Sequence, residues 1–431
     1  MNLTMRTVFR SFVTYLLSGA LLFNISLSAQ EKPLKDFQLS FLPMVSTDGT
    51  DVINYRYKTS INLFAGINGG VKGVELGGFM NINNGFVEGL QLAGFGNIVN
   101  GNFEGFQGAG FMNIVNGYSK GFQGSGFINV IRGGNQGLLG SGFMNVVNGN
   151  SQSVSGAGFM NVVHGDHQGL SGAGFMNVTS GSFNGLQGAG FMNVTRSYSM
   201  GISGAGFANI SGGHYMGIQA AGFMNVAQDM DGIQAAGFLN VAREVNGLQI
   251  GFINVADTVA GIPIGFLSIV KRGALREIEI SANDVFLMNA SFRIGVPVFY
   301  NIFSVGYRLV QDTDFFAMGY GIGSRLELSD DLNLDIELHS SALHKDWNWD
   351  WWSVNHWSRL NELRTMFTWQ VGPVAQFFAG PVLYNHYFRV SEEYSREDLE
   401  IAPYNIYEYT SGSRVRQWWV GGRAGLRLAL P

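Results

Sequence analysis

Gly185-Leu186-Gln187-Gly188-Ala189-Gly190-Phe191-Met192-Asn193-Val194-Thr195 is one copy of a unit that recurs through the middle of the chain. Its Phe returns every 16 residues at Phe79, Phe95, Phe111, Phe127, Phe143, Phe159, Phe175, Phe191, Phe207 and Phe223. The spacing then falls to 15 at Phe238 and to 14 at Phe252 and Phe266. In twelve of the thirteen units an Asn stands two residues after the Phe, from Asn81 to Asn254; the last unit has Ser268. A fixed short period is the mark of a repeat architecture. The shortening falls at two places, before the Phe in Gly247–Phe252 and after it in Phe223–Gly232. A one-residue slip inside a strand would turn every side chain to the other face. The slack therefore belongs to two corners per unit, one near Gly-Ala-Gly and one in the Asn-Gly segment.

Identical units with two corners suit a β-solenoid, in which each unit is one coil stacked on the next at strand spacing. Thirteen coils at about 4.8 Å make a rod of roughly 60 Å. In-register stacking sets Phe on Phe and Asn on Asn, and buried amides can bond one another along the stack. The predicted structural ladder is Phe111, Asn113, Phe127, Asn129, Phe143, Asn145, Phe159, Asn161, Phe175, Asn177, Phe191 and Asn193. The alternative makes each unit one membrane strand with a hairpin turn, in a single large up-and-down barrel, since strand length and the Asn-Gly turns allow it.

Outward from the array, residues 1–29 read as an export signal. Arg6 and Arg10 precede a broken apolar run, and Leu27-Ser28-Ala29 suits cleavage. Residues 30–72 hold two strand-like runs around Thr47-Asp48-Gly49-Thr50, which could join a barrel. The array occupies residues 73–273. In residues 274–431 the pattern changes to alternation. Asp331, Asn333, Asp335, Glu337 and His339 interleave with Leu332, Leu334, Ile336 and Leu338. Arg423 and Arg427 face away from Ala424, Leu426, Leu428 and Leu430. This dyad pattern is that of antiparallel membrane-barrel strands. A soluble sandwich alternates in the same way; the export signal and the aromatic load favour the barrel. Seven or eight strands are counted there, nine or ten with the N-terminal pair.

Composition agrees with an all-β envelope protein. Gly supplies 61 of 431 residues and Phe 34, charged residues are 13%, and no Cys is present. Thiolate metal sites and disulfides are thereby excluded. A net charge of −5 gives no basic footprint for nucleic acid.

Gly247-Leu248-Gln249-Ile250-Gly251-Phe252-Ile253-Asn254 resembles bacterial surface-repeat proteins built on Gly-Leu-Gln-Ile-Gly-Leu-x-Asn units. Glu277-Ile278-Glu279-Ile280-Ser281 opens a tail similar to Gram-negative outer-membrane barrels. The resemblance implies an exported protein of the outer membrane or cell surface, with membrane lipid as partner and no known chemistry.

Little suggests catalysis. His164, Asp166 and His167 share one variable corner and have no counterpart in neighbouring units, so a solvated loop is expected rather than a metal site. The Gly-x-Gly triplets are not followed by helices and are not phosphate loops. Trp347, Trp349, Trp351, Trp352 and Trp357 are candidate interface or sugar-stacking aromatics. The expectation is a non-enzymatic scaffold for adhesion or structural support, without cofactors, whose partners beyond lipid are a surface polysaccharide or another envelope protein. The alternative is a porin-like channel.

Overall fold

The computed structural model describes residues 32–310, 313–345, 358–391 and 395–430. The expected export signal lies outside these residues, as do Trp347, Trp349, Trp351, Trp352 and Trp357. The described chain is nearly all β, in two bodies: a parallel stack and an antiparallel barrel.

One coil shows why the stack forms. In residues 183–198 a seven-residue strand, Phe183–Ala189, is followed by a four-residue strand, Met192–Thr195. Gly190-Phe191 and Arg196-Ser197-Tyr198 are the corners, where the one-residue slack requires them. Each strand pairs parallel and in register with its copies: Phe183 with His167 and Ser199, Asn193 with Asn177 and Asn209. The single large up-and-down barrel is thereby ruled out, because its neighbouring strands would run antiparallel. In the final coils the Asn-Gly corner straightens, and Leu239–Ile250 and Ile253–Ile264 are continuous strands.

Glycine is required on the long strand. Gly185 has φ +143°, and a Cβ there would come within 1.9 Å of the Gly169 carbonyl oxygen. Ser153 is the exception in this column. Its strand keeps ordinary alternation, and its hydroxyl lies 2.8 Å from those of Ser151 and Ser155.

The described part of the expected N-terminal pair, residues 32–72, belongs to the solenoid, not to the barrel. Leu34–Leu42 pairs parallel with Arg56–Asn62, and that strand with Val71–Gly77. Short alternating strands fit either body; what assigns them is the inward line of Gln38, Ser60 and Glu75, which continues the array. A short antiparallel return, Val45–Ser46, and a 3₁₀ turn, Gly49–Asn54, with Val52 fully buried, cap this end. Such caps keep an open parallel edge from pairing with another chain.

The barrel consists of Leu275–Asn283, Met288–Val296, Phe299–Val310, Thr313–Ser329, Leu332–Lys345, Ser358–Gln370, Ala375–Arg389 and Arg414–Ala429. Each pairs antiparallel with the next, and the first pairs with the last, closing eight strands. Tyr407–Ser411 adds a short ninth beside the start of the last strand. Three short turns, at residues 297–298, 330–331 and 371–374, lie at one end. The solenoid joins at that same end, and the last strand finishes there. The longest connections, residues 346–357 and 390–406, join strands at the other end.

Candidate functional site

The predicted Asn ladder is present and complete. Twelve side-chain bonds run from Asn62 to Asn254, each Nδ2 donating to the Oδ1 of the next coil's Asn at 2.8–3.1 Å. The second hydrogen of each amide from Asn81 to Asn254 reaches a backbone carbonyl of the long strand ahead, as Asn113 does to Gly124 at 2.8 Å. All the ladder Asn residues are at most 2% exposed. A buried amide with two donors and one acceptor used is a satisfied group.

The Phe residues also stack, with centroids 4.7–5.9 Å apart from Phe64 to Phe266. They stand on the outside of the corner, and Phe191 remains 36% exposed. The last ring, Phe266, lies against the barrel wall, stacked on Tyr320 at 5.3 Å and edge-on to Phe303 at 5.4 Å.

A second polar line was not expected from the sequence, although a Gln four residues before the Phe, or three in Gln249–Phe252, is its signal. Gln107 donates to Gln91, and Gln123 to Gln107, both at 2.7 Å. Gln249 and Gln234 repeat the pattern further along. Toward the capped end the line passes through Glu75, whose buried carboxyl accepts from Ser60, Asn62, Asn68, Asn83 and Gln91 at 2.8–3.3 Å. Burial pushes this carboxyl up, and the amide donors hold it part of the way down. Beside the polar lines, Val99, Phe103, Val115, Ile131, Leu139 and Val147 supply an apolar half of the interior.

His167 corrects the expectation of a solvated corner. It is the first inward residue of its strand, 2% exposed, and stacks on Phe183 at 5.7 Å. Strand parity decides this: Asp166 precedes the strand and His167 takes the inward column of Ser151 and Phe183. Burial lowers the imidazole to about 4. Asp166 instead accepts the backbone N–H of Ser182 at 2.7 Å. Among the described residues no group of three His, Asp or Glu converges as a metal site.

The barrel is filled by charge. Glu277, Glu279, Asp335, Glu337 and Glu362 meet Arg293, Arg325, Arg364, Arg423 and Arg427 inside it. Five carboxylates balance five guanidinium groups, and apart from Arg325 each is at most 4% exposed. Glu279 binds Arg293 at 2.7 Å, Arg427 at 2.9 Å and Arg423 at 3.0 Å. Arg325 binds Glu277 at 2.6 Å and Asp335 at 2.7 Å. Gly323 makes room for Tyr300, whose hydroxyl donates to Glu337 at 2.9 Å; a Cβ there would strike the ring at 2.4 Å. Toward the long-connection end the interior turns apolar, with Phe315, Leu343, Leu360, Tyr384 and Trp419 packed together. The polar faces are legible in the sequence but this pairing is not, since the partners sit on strands far apart in the chain.

Ser304 and His339 lie 2.7 Å apart, but this is not a nucleophile and base held by a carboxylate. Glu362 stands 3.8 Å from His339 Nδ1 and is bound by Arg364.

The outer wall is the reverse of the inside. Ile280, Leu326, Leu338, Leu363, Phe377 and Leu426 face outward and are 40–61% exposed. Toward the long-connection end this belt gives way to a polar line, Ser340 donating to Asn361 at 2.8 Å and Asn361 to Asn385 at 3.3 Å. No helix among the described residues is long and apolar enough to cross a membrane, which says nothing of strands.

Comparison with known proteins gives no match, whether to family models, to curated proteins or to solved structures.

Proposed function

We propose that this chain is an exported, non-enzymatic outer-membrane protein. Its eight-stranded barrel sits in the lipid and anchors the β-solenoid as a repetitive structural scaffold. The observation that carries the reading is the polarity of the barrel, charged within and aliphatic or aromatic without. A soluble barrel buries its apolar face; one in lipid exposes it and keeps a polar interior. Eight strands leave room for side chains only, and here ten charged groups and an apolar cluster fill it, so the scaffold role is favoured over a channel.

Of adhesion and structural support, the second is favoured. Membrane barrels of this kind place short turns on the periplasmic side and long loops outside. The solenoid joins at the short-turn end, so it belongs to the inner side of that membrane. Lipid is the first partner and another envelope protein the second; a surface polysaccharide would meet the opposite end. Carbonate extraction of an envelope fraction tests the anchor. The full chain should stay with the membrane pellet, and its release into the soluble phase would rule the barrel reading out.

A further inference from the structure

The solenoid segregates charge as strictly as the barrel does. Between Val71 and Arg272, every Asp, Glu, Lys and Arg except Glu75 stands five to nine residues after a Phe of the aromatic column. Those positions are the Asn-Gly corner and the outward residue beside it. There the charges pair along the stack, as Lys120 with Glu104 at 2.6 Å and Arg243 with Asp229 at 2.6 Å. The rest of the perimeter is free of charge, and its outward columns are apolar. Leu138, Leu170, Leu186 and Ile202 form one exposed ladder on the long-strand face, 43–49% exposed. Met and Val, as Met192 and Val194, form the other face, and Phe the edge between them. The amides that a soluble protein would turn outward are instead inside. So long a continuous apolar surface exceeds what isolated soluble proteins expose.

Backbone satisfaction points the same way. In lipid each N–H and C=O must find a partner within the protein. The aromatic corner meets this demand, although corners are where sheets fail. Gly190 N–H donates to Ala173 at 3.1 Å and Phe191 N–H to Phe175 at 2.9 Å, and the same bonds recur from coil to coil. The two open ends are also covered. The first coil carries its cap, and the last rests on the outer wall of Met288–Val296 and Phe299–Val310.

That junction identifies the occupant of the apolar faces. Phe266 ends the aromatic edge on Phe303 and Tyr320, so the edge runs without a break into the apolar belt of the barrel. The width fits as well. From the Leu186 column to the corner at Gly190 is four residues, about 13 Å at roughly 3.3 Å each, and the outward Phe191 ring lies just beyond it. Half of a hydrocarbon core of about 30 Å is about 15 Å.

We propose that the solenoid lies edge-on in one leaflet of the bilayer. Its Phe edge and the columns of Leu186, Met192 and Val194 are in hydrocarbon, and its charged edge is at the headgroups. The inference rests on the barrel reading and adds that the array is itself a lipid-binding surface, at the leaflet next to the short turns. The coils would then extend the protein sideways within the membrane instead of projecting from it.

The absence of Cys makes the test direct. Single-cysteine full-length variants Leu186→Cys, Val194→Cys, Asn184→Cys and Leu363→Cys are labelled with a polarity-sensitive fluorophore. They are then reconstituted in phosphatidylethanolamine–phosphatidylglycerol vesicles, with and without lipid bearing a nitroxide on the acyl chain. All four side chains face outward, so the label does not enter the interior. The Leu186 and Val194 probes should be blue-shifted and lose as much fluorescence to the nitroxide as the Leu363 probe on the barrel, while the Asn184 probe loses little. Quenching at Leu363 with wet, unquenched probes at Leu186 and Val194 overturns the inference and leaves the barrel reading standing. Probes at Leu186 and Val194 that are dry but insensitive to nitroxide lipid, with disulfide-linked dimers of the unlabelled variants, mean that a second copy covers these faces, and also overturn it. An unquenched Leu363 probe removes the barrel reading and the inference together.

Discussion

At the scale of single residues, the Asn ladder makes the sharpest demand. Asn177 accepts from Asn161 at 3.0 Å and donates to Asn193 at 2.9 Å and to the Gly188 carbonyl at 2.8 Å. The Ser171 hydroxyl also donates to it at 2.9 Å, so Asn177→Leu leaves four buried groups without that partner, at about 1–3 kcal/mol each, and the loss should be about 3 kcal/mol or more. Asn254 has no amide beyond it and serves only Asn240 and the Ile264 carbonyl. Asn254→Leu should therefore cost less, and denaturant titration of the two full-length variants separates them; equal, small losses would mean that the ladder is not a source of stability. His167 adds a pH dependence. Its folded value of about 4 lies below the unfolded value near 6.5. The neutral ring's contribution is thus whole above about pH 6.5 and is lost as pH falls through about 4, amounting to on the order of 3 kcal/mol. His167→Phe, which matches Phe183 in the same column, should remove this acid sensitivity. Hydrogen exchange of residues 151–199 at neutral and acid pH is the check, and unchanged acid opening in the variant would refute it. The Asn column was legible in the sequence because a period of 16 aligns identical residues on one line. The inward place of His167 was not, because a variable column offers no repeated residue to mark its parity.

At the scale of the element, the coil is the unit of both construction and change. Each coil bonds only to the one before and the one after, so removing a whole coil re-forms the same contacts. Deleting residues 153–168 joins Gln152 to Gly169 and keeps every column in line, since Ser153 and Gly169 share one register position. The shortened protein should fold, keep its β spectrum and retain its membrane association. Deleting half a coil, residues 153–160, should not, because it sets the long strand against the short one. If both deletions behave alike, coil-to-coil register is not what holds the array together. Coil boundaries and both corners could be read from the sequence through the one-residue slack. The first two long strands could not, because neither Leu34–Leu42 nor Arg56–Asn62 carries the Gly-Leu-Gln that would tie it to the array. Their membership is set by pairing, with Gln38 beside Ser60 and Ser60 beside Glu75.

At the scale of the molecule, both bodies put polar groups inside and apolar ones outside, but they satisfy the inside differently. The solenoid uses neutral amides repeated along one axis, which period alone reveals. The barrel uses ions whose partners come from strands as distant as Glu279 and Arg427, and no local pattern in the sequence pairs them. The ion cluster is also the more fragile device. Two buried charges repay their desolvation only when both are present, and removing one partner costs about 3–5 kcal/mol. Arg427 lies among Glu279, Asp335 and Thr368 and covers the Phe378 ring at 4.1 Å. Arg427→Met keeps the side-chain volume and the contact with Phe378 but leaves the interior with five carboxylates and four guanidinium groups. Closed barrels that survive in detergent migrate differently before and after boiling, so the temperature at which the unboiled band disappears reads barrel stability. That temperature should fall in Arg427→Met and recover in part when Glu279→Gln is added, because the second change restores charge balance at the same place. The recovery is the decisive part: a lost packing contact would lower the temperature too, but neutralising Glu279 would then lower it further.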